Sequence, residues 1–172
     1  MEGSRGLGDV YKRQVISRSK LNMKGYWNKP DATKESIVDG WFYSGDAGFF
    51  DEEGFLFIHD RVKDMIVSGG ENIYPAEVEN ALMSHDEILD AAVVGVPDEK
   101  WGESVKGFVV IGESSLSEEE IISYTRSQIA AYKCPKSIEF IKELPRNPSG
   151  KILRRELRDP YWEGIDRKVS GN

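Results

Sequence analysis

The segment from Asp60 to Glu79, DRVKDMIVSGGENIYPAEVE, leaves the backbone few choices. The apolar, β-branched run Met65–Val67 favours an extended strand. Gly69 and Gly70 interrupt it, because glycine accepts positive φ and lets backbone approach a neighbour closely. Pro75 lacks an amide hydrogen and is tolerated only in the first helical turn, so a helix has to start there. Glu77 and Glu79 then sit near the positive end of its dipole, and Val78, Ala81 and Leu82 recur at i, i+3 and i+4 to give it one apolar face. The glycine loop between reads as a connection from strand to helix.

The same reasoning extends in both directions. Before Asp60, Val15–Ser17, Trp41–Tyr43, Ala47–Phe50 and Phe55–His59 read as short strands, Asp51–Gly54 as a hairpin turn, and Asp31–Ile37 as a helical stretch capped by Asp31. Beyond it, Leu89–Val96 and Val105–Ile111 are valine-rich strands joined across Pro97-Asp98. A helix opens at Ser117, with Glu120 completing a capping box and Ile122 and Ile129 sharing a face. Ile138–Ile141 is a further strand and Ile152–Arg158 a last short helix. The expected fold is α+β: a small β unit over 15–60, then a compact domain over 61–162 with a small sheet and packed helices. Residues 1–14 lack periodicity and are expected to be non-native or disordered, and 163–172 to form a tail.

Composition removes whole classes of function. A net charge of -7 and a pI near 5.0 make a nucleic-acid backbone an unsuitable partner. Cys134 is the only cysteine, and His59 and His85 are the only histidines, so neither an internal disulfide nor a zinc-type ligand set can be assembled. The longest apolar runs, Ala91–Val94 and Phe108–Ile111, fall far short of the roughly 18 residues of a membrane helix. No membrane span is expected, and the cytoplasm is the default location.

Three motifs stand in order: Tyr43-Ser44-Gly45-Asp46, the Asp60–Glu79 segment, and Pro148-Ser149-Gly150-Lys151-Ile152-Leu153-Arg154-Arg155. Together they resemble the C-terminal part of the acyl-adenylate-forming, AMP-binding enzymes, and within them the fatty acyl-CoA ligases, over about Val15 to Trp162. The resemblance implies the end of a main body followed by a mobile lid domain. The large N-terminal domain, with its phosphate loop and acyl pocket, would be a partner outside this sequence. The implied reaction has two steps: a carboxylic acid and ATP give an acyl-adenylate and pyrophosphate, then the CoA thiol displaces AMP. ATP and CoA are the implied cofactors, a small-molecule carboxylic acid is the substrate, and Mg²⁺ is expected with ATP on ligands outside the chain. Alone, the chain is expected to be inactive. Two alternatives stay open, an adenylation domain that loads a carrier protein and a non-catalytic lid module that binds CoA or nucleotide.

The resemblance also implies roles residue by residue. A carboxylate can hold two adjacent hydroxyls, and Asp46 matches the family's ribose-binding aspartate; a turn aspartate after Gly45 is the structural alternative. Arg61 matches an arginine that contacts the nucleotide, its planar fork suiting oxygen ligands, and Lys63 matches the hinge. Gly69, Gly70 and Trp101 match positions along the CoA channel, although a plain turn and simple burial explain them equally well. Lys151 does not belong to a Walker loop, since Pro145 stands where glycine is needed and Ile152 where Ser or Thr is needed. It matches the catalytic lysine, whose ammonium would stabilise charge developing on the α-phosphate and attacking carboxylate. The alternative is a solvated lysine before the basic helix of Arg154, Arg155 and Arg158.

Overall fold

The first sheet is organised on one long strand. In the computed structural model, which describes residues 14–113 and 115–165, β1 (Gln14–Ser17), β2 (Ile37–Val38) and the longer β3 (Trp41–Phe50) precede β4 (Leu56–Arg61), and β3 pairs antiparallel with the other three. The two strands expected at Trp41–Tyr43 and Ala47–Phe50 are therefore one. Gln14 faces Ala47 but Ile16 already faces Tyr43, so Ser44, Gly45 and Asp46 bulge away from β1, with Gly45 at φ +76°, and pairing resumes beyond them. Asp51–Gly54 forms the expected turn: Asp51 Oδ1 accepts from the Glu53 and Phe55 amides.

Helix α1 spans Pro30–Ser36 and lacks the cap expected at Asp31. Pro30 takes the first helical position, where its missing amide hydrogen costs nothing, so Lys29 precedes the helix and Asp31 becomes an acid of its first turn. The chain divides into two compact units between Lys63 and Asp64, within a short 3₁₀ turn, Val62–Asp64. The expectations for residues 1–13 and 166–172 lie outside the described residues, and Gln14 opens β1.

The second unit adds β5 (Ile66–Ser68), β6 (Glu71–Ile73), β7 (Ile88–Asp98), β8 (Gly102–Ile111) and β9 (Ser137–Phe140). These pair antiparallel except for β9, which runs parallel to β8. β6 was expected as loop. Gly69 (φ +61°) and Gly70 (φ +89°) are instead the central residues of a two-residue hairpin with the positive φ pair of a type I′ turn, and Ser68 faces Glu71 across it.

Side chains alternate across β7, and each set meets its own cover. Ala91 and Val93 join Ile66, Leu82, Val109 and Ile121 under α2 (Pro75–Met83) and α3 (Glu118–Gln128). Ala92 and Val94 join Phe108 and Leu144, against which Ile152, Leu157 and Tyr161 pack from the chain around α4 (Arg154–Arg158). Burial on both faces explains the unbroken valine-rich run, which a one-sided strand would replace with alternation. The capping box at Ser117 and Glu120 forms as expected. Inside α3, however, Ile121 and Thr125 are the buried residues, while Ile122 packs at the margin with Ile129, which is the extended C-cap just past the helix. Among the described residues no helix is long and apolar enough to cross a membrane.

Candidate functional site

Asp46 and Arg61 come together in the first unit. The β3–β4 register places them directly opposite one another, and Arg61 Nε lies 2.9 Å from Asp46 Oδ1. The bulge at Gly45 frees the middle of β3, residues 44–46, from the β1 ladder, and the Ser44 hydroxyl accepts from the Asp46 amide while donating to the Val15 carbonyl. The carboxylate is thus oriented by one guanidinium nitrogen. A carboxylate offers about four lone-pair sites on its two oxygens, so it keeps capacity for further donors such as vicinal hydroxyls. Both side chains are partly exposed, so the pair by itself adds little to stability. Lys63 follows two residues later, inside the 3₁₀ turn at the division between units.

Gly69 and Trp101 also meet, within the second unit. The Gly69 amide donates to the Trp101 carbonyl at 2.9 Å, and the indole lies so close that a Cβ on Gly69 would stand 2.6 Å from its Cε3. Gly70 has open space at the same position. Trp101 is 42% exposed, so burial does not account for it. Lys100 and Lys136 place their ammonium groups 4.5 and 5.3 Å from its ring centroid, within cation–π range. Asp98 organises the group: one oxygen accepts from the Lys100 and Trp101 amides, the other pairs with Lys136 at 2.9 Å. The hydrogen bond from Lys136 and that from the Trp101 amide hold the Asp98 carboxyl below its usual range. The result is an exposed aromatic face flanked by positive charge, with glycine backbone beside it.

Lys151 stands in a hairpin of its own. Arg146 and Ile152 form an antiparallel bridge, the Asn147 amide donates to the Lys151 carbonyl at 2.9 Å, and the Leu153 amide donates to the Pro145 carbonyl. The Asn147 side chain closes the turn from inside, accepting from the amides of Ser149 and Lys151 and from the Ser149 hydroxyl. Gly150, at φ +83°, lets the chain reverse there. The lysine is exposed, while its backbone is held on both sides.

Sequence reasoning passed over the acidic anchors around this hairpin. Arg154, read only as part of a basic helix, clasps Glu79 with two nitrogens, at 3.1 and 2.7 Å, across 75 residues of sequence, and its remaining nitrogen lies 4.0 Å from Asp64. Arg146 pairs with Asp90 at 2.7 Å. Lys136 was likewise missed. The one readable signal was Pro97-Asp98, where an aspartate commonly accepts from the amides two or three residues on.

Comparison with known proteins bears on the family to which these motifs point. The description of the AMP-binding enzyme C-terminal domain matches residues 77–151. That segment belongs to the AMP-binding C-terminal domain family. Its C-terminal domain match ends on Lys151 itself. A fatty acid–[acyl-carrier-protein] ligase of Streptomyces coeruleorubidus is 49% identical over 158 residues, 91% of this chain and 30% of that protein. A long-chain-fatty-acid–CoA ligase of Mycobacterium tuberculosis is 47% identical over 86% of this chain and 29% of that protein. Among solved structures, o-succinylbenzoate CoA synthetase from Bacillus subtilis, in complex with its acyl-adenylate intermediate, superposes with a TM-score of 0.79 at 41% identity, covering 85% of this chain and 30% of that one. The chain thus spans about 30% of the length of the curated relatives it matches, and carries the α+β fold of an AMP-binding C-terminal domain.

Proposed function

We propose that this chain forms the C-terminal part of an ATP-dependent acyl-CoA ligase of the cytoplasm, with a fatty acid as its carboxylic acid. The observation that carries the reading is the Asp46–Arg61 pair: two residues fifteen apart in sequence and expected to bind one nucleotide face each other at 2.9 Å, with acceptor capacity to spare on the carboxylate. In this reading Asp46 holds the ribose hydroxyls and Arg61 orients it and contacts the nucleotide. Lys151 supplies an ammonium to the α-phosphate as the substrate carboxylate oxygen attacks phosphorus and pyrophosphate leaves. That charge is worth more in the transition state than in the ground state, because negative charge accumulates there.

Lys63 serves as the hinge between the two half-reactions. The Gly69-Gly70 turn and Trp101 border the path of the CoA arm, whose thiol attacks the acyl carbonyl and expels AMP. The exposed indole, flanked by Lys100 and Lys136, suits a ligand that joins an aromatic ring to phosphates. Among the described residues no three His, Cys, Asp or Glu side chains are grouped as metal ligands, so no residue here is assigned to Mg²⁺. The ligase needs the N-terminal region that its relatives carry, and this chain alone is inactive. A carrier-protein thiol as the acceptor is the second reading, favoured by the name of the Streptomyces relative.

The test is Lys151→Ala in a full-length ligase carrying this segment. Pyrophosphate exchange should fall ~10²- to 10³-fold, while thioester formation from supplied acyl-adenylate survives. Equal loss of both half-reactions would overturn the role given to Lys151.

A further inference from the structure

We propose that Arg146, anchored on Asp90, is a positioning residue that fixes the peptide carrying Lys151. The inference rests on the reading of Lys151 as the adenylation lysine. Arg146 divides its guanidinium between two acceptors. One terminal nitrogen donates to the Gly150 carbonyl at 2.7 Å, and the other pairs with Asp90 Oδ2 at 2.7 Å. The Gly150 carbonyl belongs to the same peptide as the Lys151 amide, and that amide donates to Asn147 Oδ1 at 2.9 Å. The peptide entering Lys151 is therefore gripped from both sides.

The two grips differ in kind. Asn147 belongs to the hairpin and only closes it on itself, whereas Arg146 ties it to the sheet 56 residues away in sequence. The anchor is itself shaped for this. Ile88 pairs with Ile111 and Asp90 with Val110, so β7 carries one extra residue at Leu89, a bulge of the kind that re-aims a side chain. Asp90 Oδ1 accepts from the Ala91 amide, which leaves Oδ2 presented to the guanidinium. A planar fork can serve both acceptors at once in fixed geometry; a lysine ammonium at the same place is a compact point charge on a flexible stem.

The pair is partly exposed, 41% for Arg146 and 31% for Asp90, so its contribution to folding is small, like that of other exposed ion pairs. Its effect lies in placement. A catalytic group misplaced by about 1 Å can lose on the order of 10²-fold in rate, and a lysine on a loop has its long side chain free unless the backbone below it is fixed.

Two measurements test this. Amide exchange on the 172-residue chain should show Gly150 and Lys151 exchanging at least ~10-fold faster in Arg146→Ala, with Val93 and Val109 of the sheet unchanged. In a full-length ligase carrying the segment, Arg146→Ala should lower kcat for adenylation ~10- to 100-fold with little change in KM for ATP, and leave thioester formation from supplied acyl-adenylate intact. Arg146→Lys should recover part of the rate, and Asp90→Ala combined with Arg146→Ala should cost no more than Arg146→Ala alone. Unchanged exchange at Gly150 and Lys151, additive effects of the two alanines, or full adenylation by Arg146→Ala where Lys151→Ala is impaired would each overturn the proposal. Full adenylation by Lys151→Ala would remove the underlying reading, and the positioning role with it.

Discussion

Arg154 and Glu79 should be energetically inseparable, and their geometry sets the size of the effect. Replacing Arg154 with methionine keeps an unbranched apolar stem but leaves the Glu79 carboxylate, with 13% of its side chain exposed, holding only the Val93 amide at 2.9 Å. A fully buried pair broken on one side costs about 3–5 kcal/mol, and an exposed one about 0–1 kcal/mol. With Arg154 at 21% and Glu79 at 13% exposure, Arg154→Met should cost about 2–3 kcal/mol, between those limits. Glu79→Gln retains an acceptor for the Val93 amide but removes the nearer of the two charges facing the guanidinium, which keeps Asp64 at 4.0 Å, for a smaller loss. The double variant no longer carries the uncompensated Glu79 carboxylate and should lie nearer the parent than Arg154→Met alone. Chemical denaturation of the purified chain measures all four proteins; the midpoints should move at an unchanged slope. If the two single losses add within about 0.5 kcal/mol, the clasp does not exist in solution.

Gly69 and Gly70 should respond differently to asparagine. Turn chemistry alone favours Asn at the first position of a type I′ turn, yet a Cβ there meets the indole, so Gly69→Asn should destabilise the chain and shift Trp101 fluorescence, and Trp101→Ala should relieve part of that cost. Equal tolerance at both positions would mean that the indole does not rest on Gly69. Alkaline titration should expose Tyr161. Burial, and then its 2.6 Å hydrogen bond to Glu139, push its hydroxyl up to about 12 from the ordinary tyrosine value of 10.0, so the folded chain keeps a proton the unfolded chain loses. That contribution is whole below pH 10.0 and vanishes as pH rises towards 12; Tyr161→Phe should flatten the stability profile across this window, and an unchanged profile would refute the assignment. Lys63→Pro in a full-length ligase should separate the half-reactions. Proline fixes φ near about -65°, within the 3₁₀ range, and restricts Val62 before it, so a rotation there is blocked. Pyrophosphate exchange and CoA transfer should then differ sharply, and normal rates for both would show that Lys63 is not the hinge.

Much of the local structure was legible because the forces that set it act over a few residues. Pro75 at the start of α2, the Ser117 and Glu120 box, and the Asp51–Gly54 turn each follow from hydrogen-bond options within one turn of chain. The Asp31 cap failed on the same scale, because Pro30 competes for the helix start and wins. The candidate residues Asp46, Arg61, Gly69, Gly70, Trp101 and Lys151 could be named from motif order, but not placed relative to one another.

Placement depended on pairing between distant segments. Glu71–Ile73 is polar at its start and too short to declare itself a strand; β5 beside it supplies the hydrogen bonds, and the glycine pair becomes a tight turn rather than a loop. Asp46 faces Arg61 only because the β3–β4 register puts them opposite. Asp90 reaches Arg146, and Glu79 reaches Arg154, across 56 and 75 residues of sequence, where no spacing rule operates. Sequence determined which chemical groups this chain carries and which short elements bear them, since those are fixed by covalent order and nearest-neighbour energetics. Tertiary structure alone decided which groups share an acceptor, because that depends on strand register and on the two faces of one sheet being covered by segments far apart in the chain.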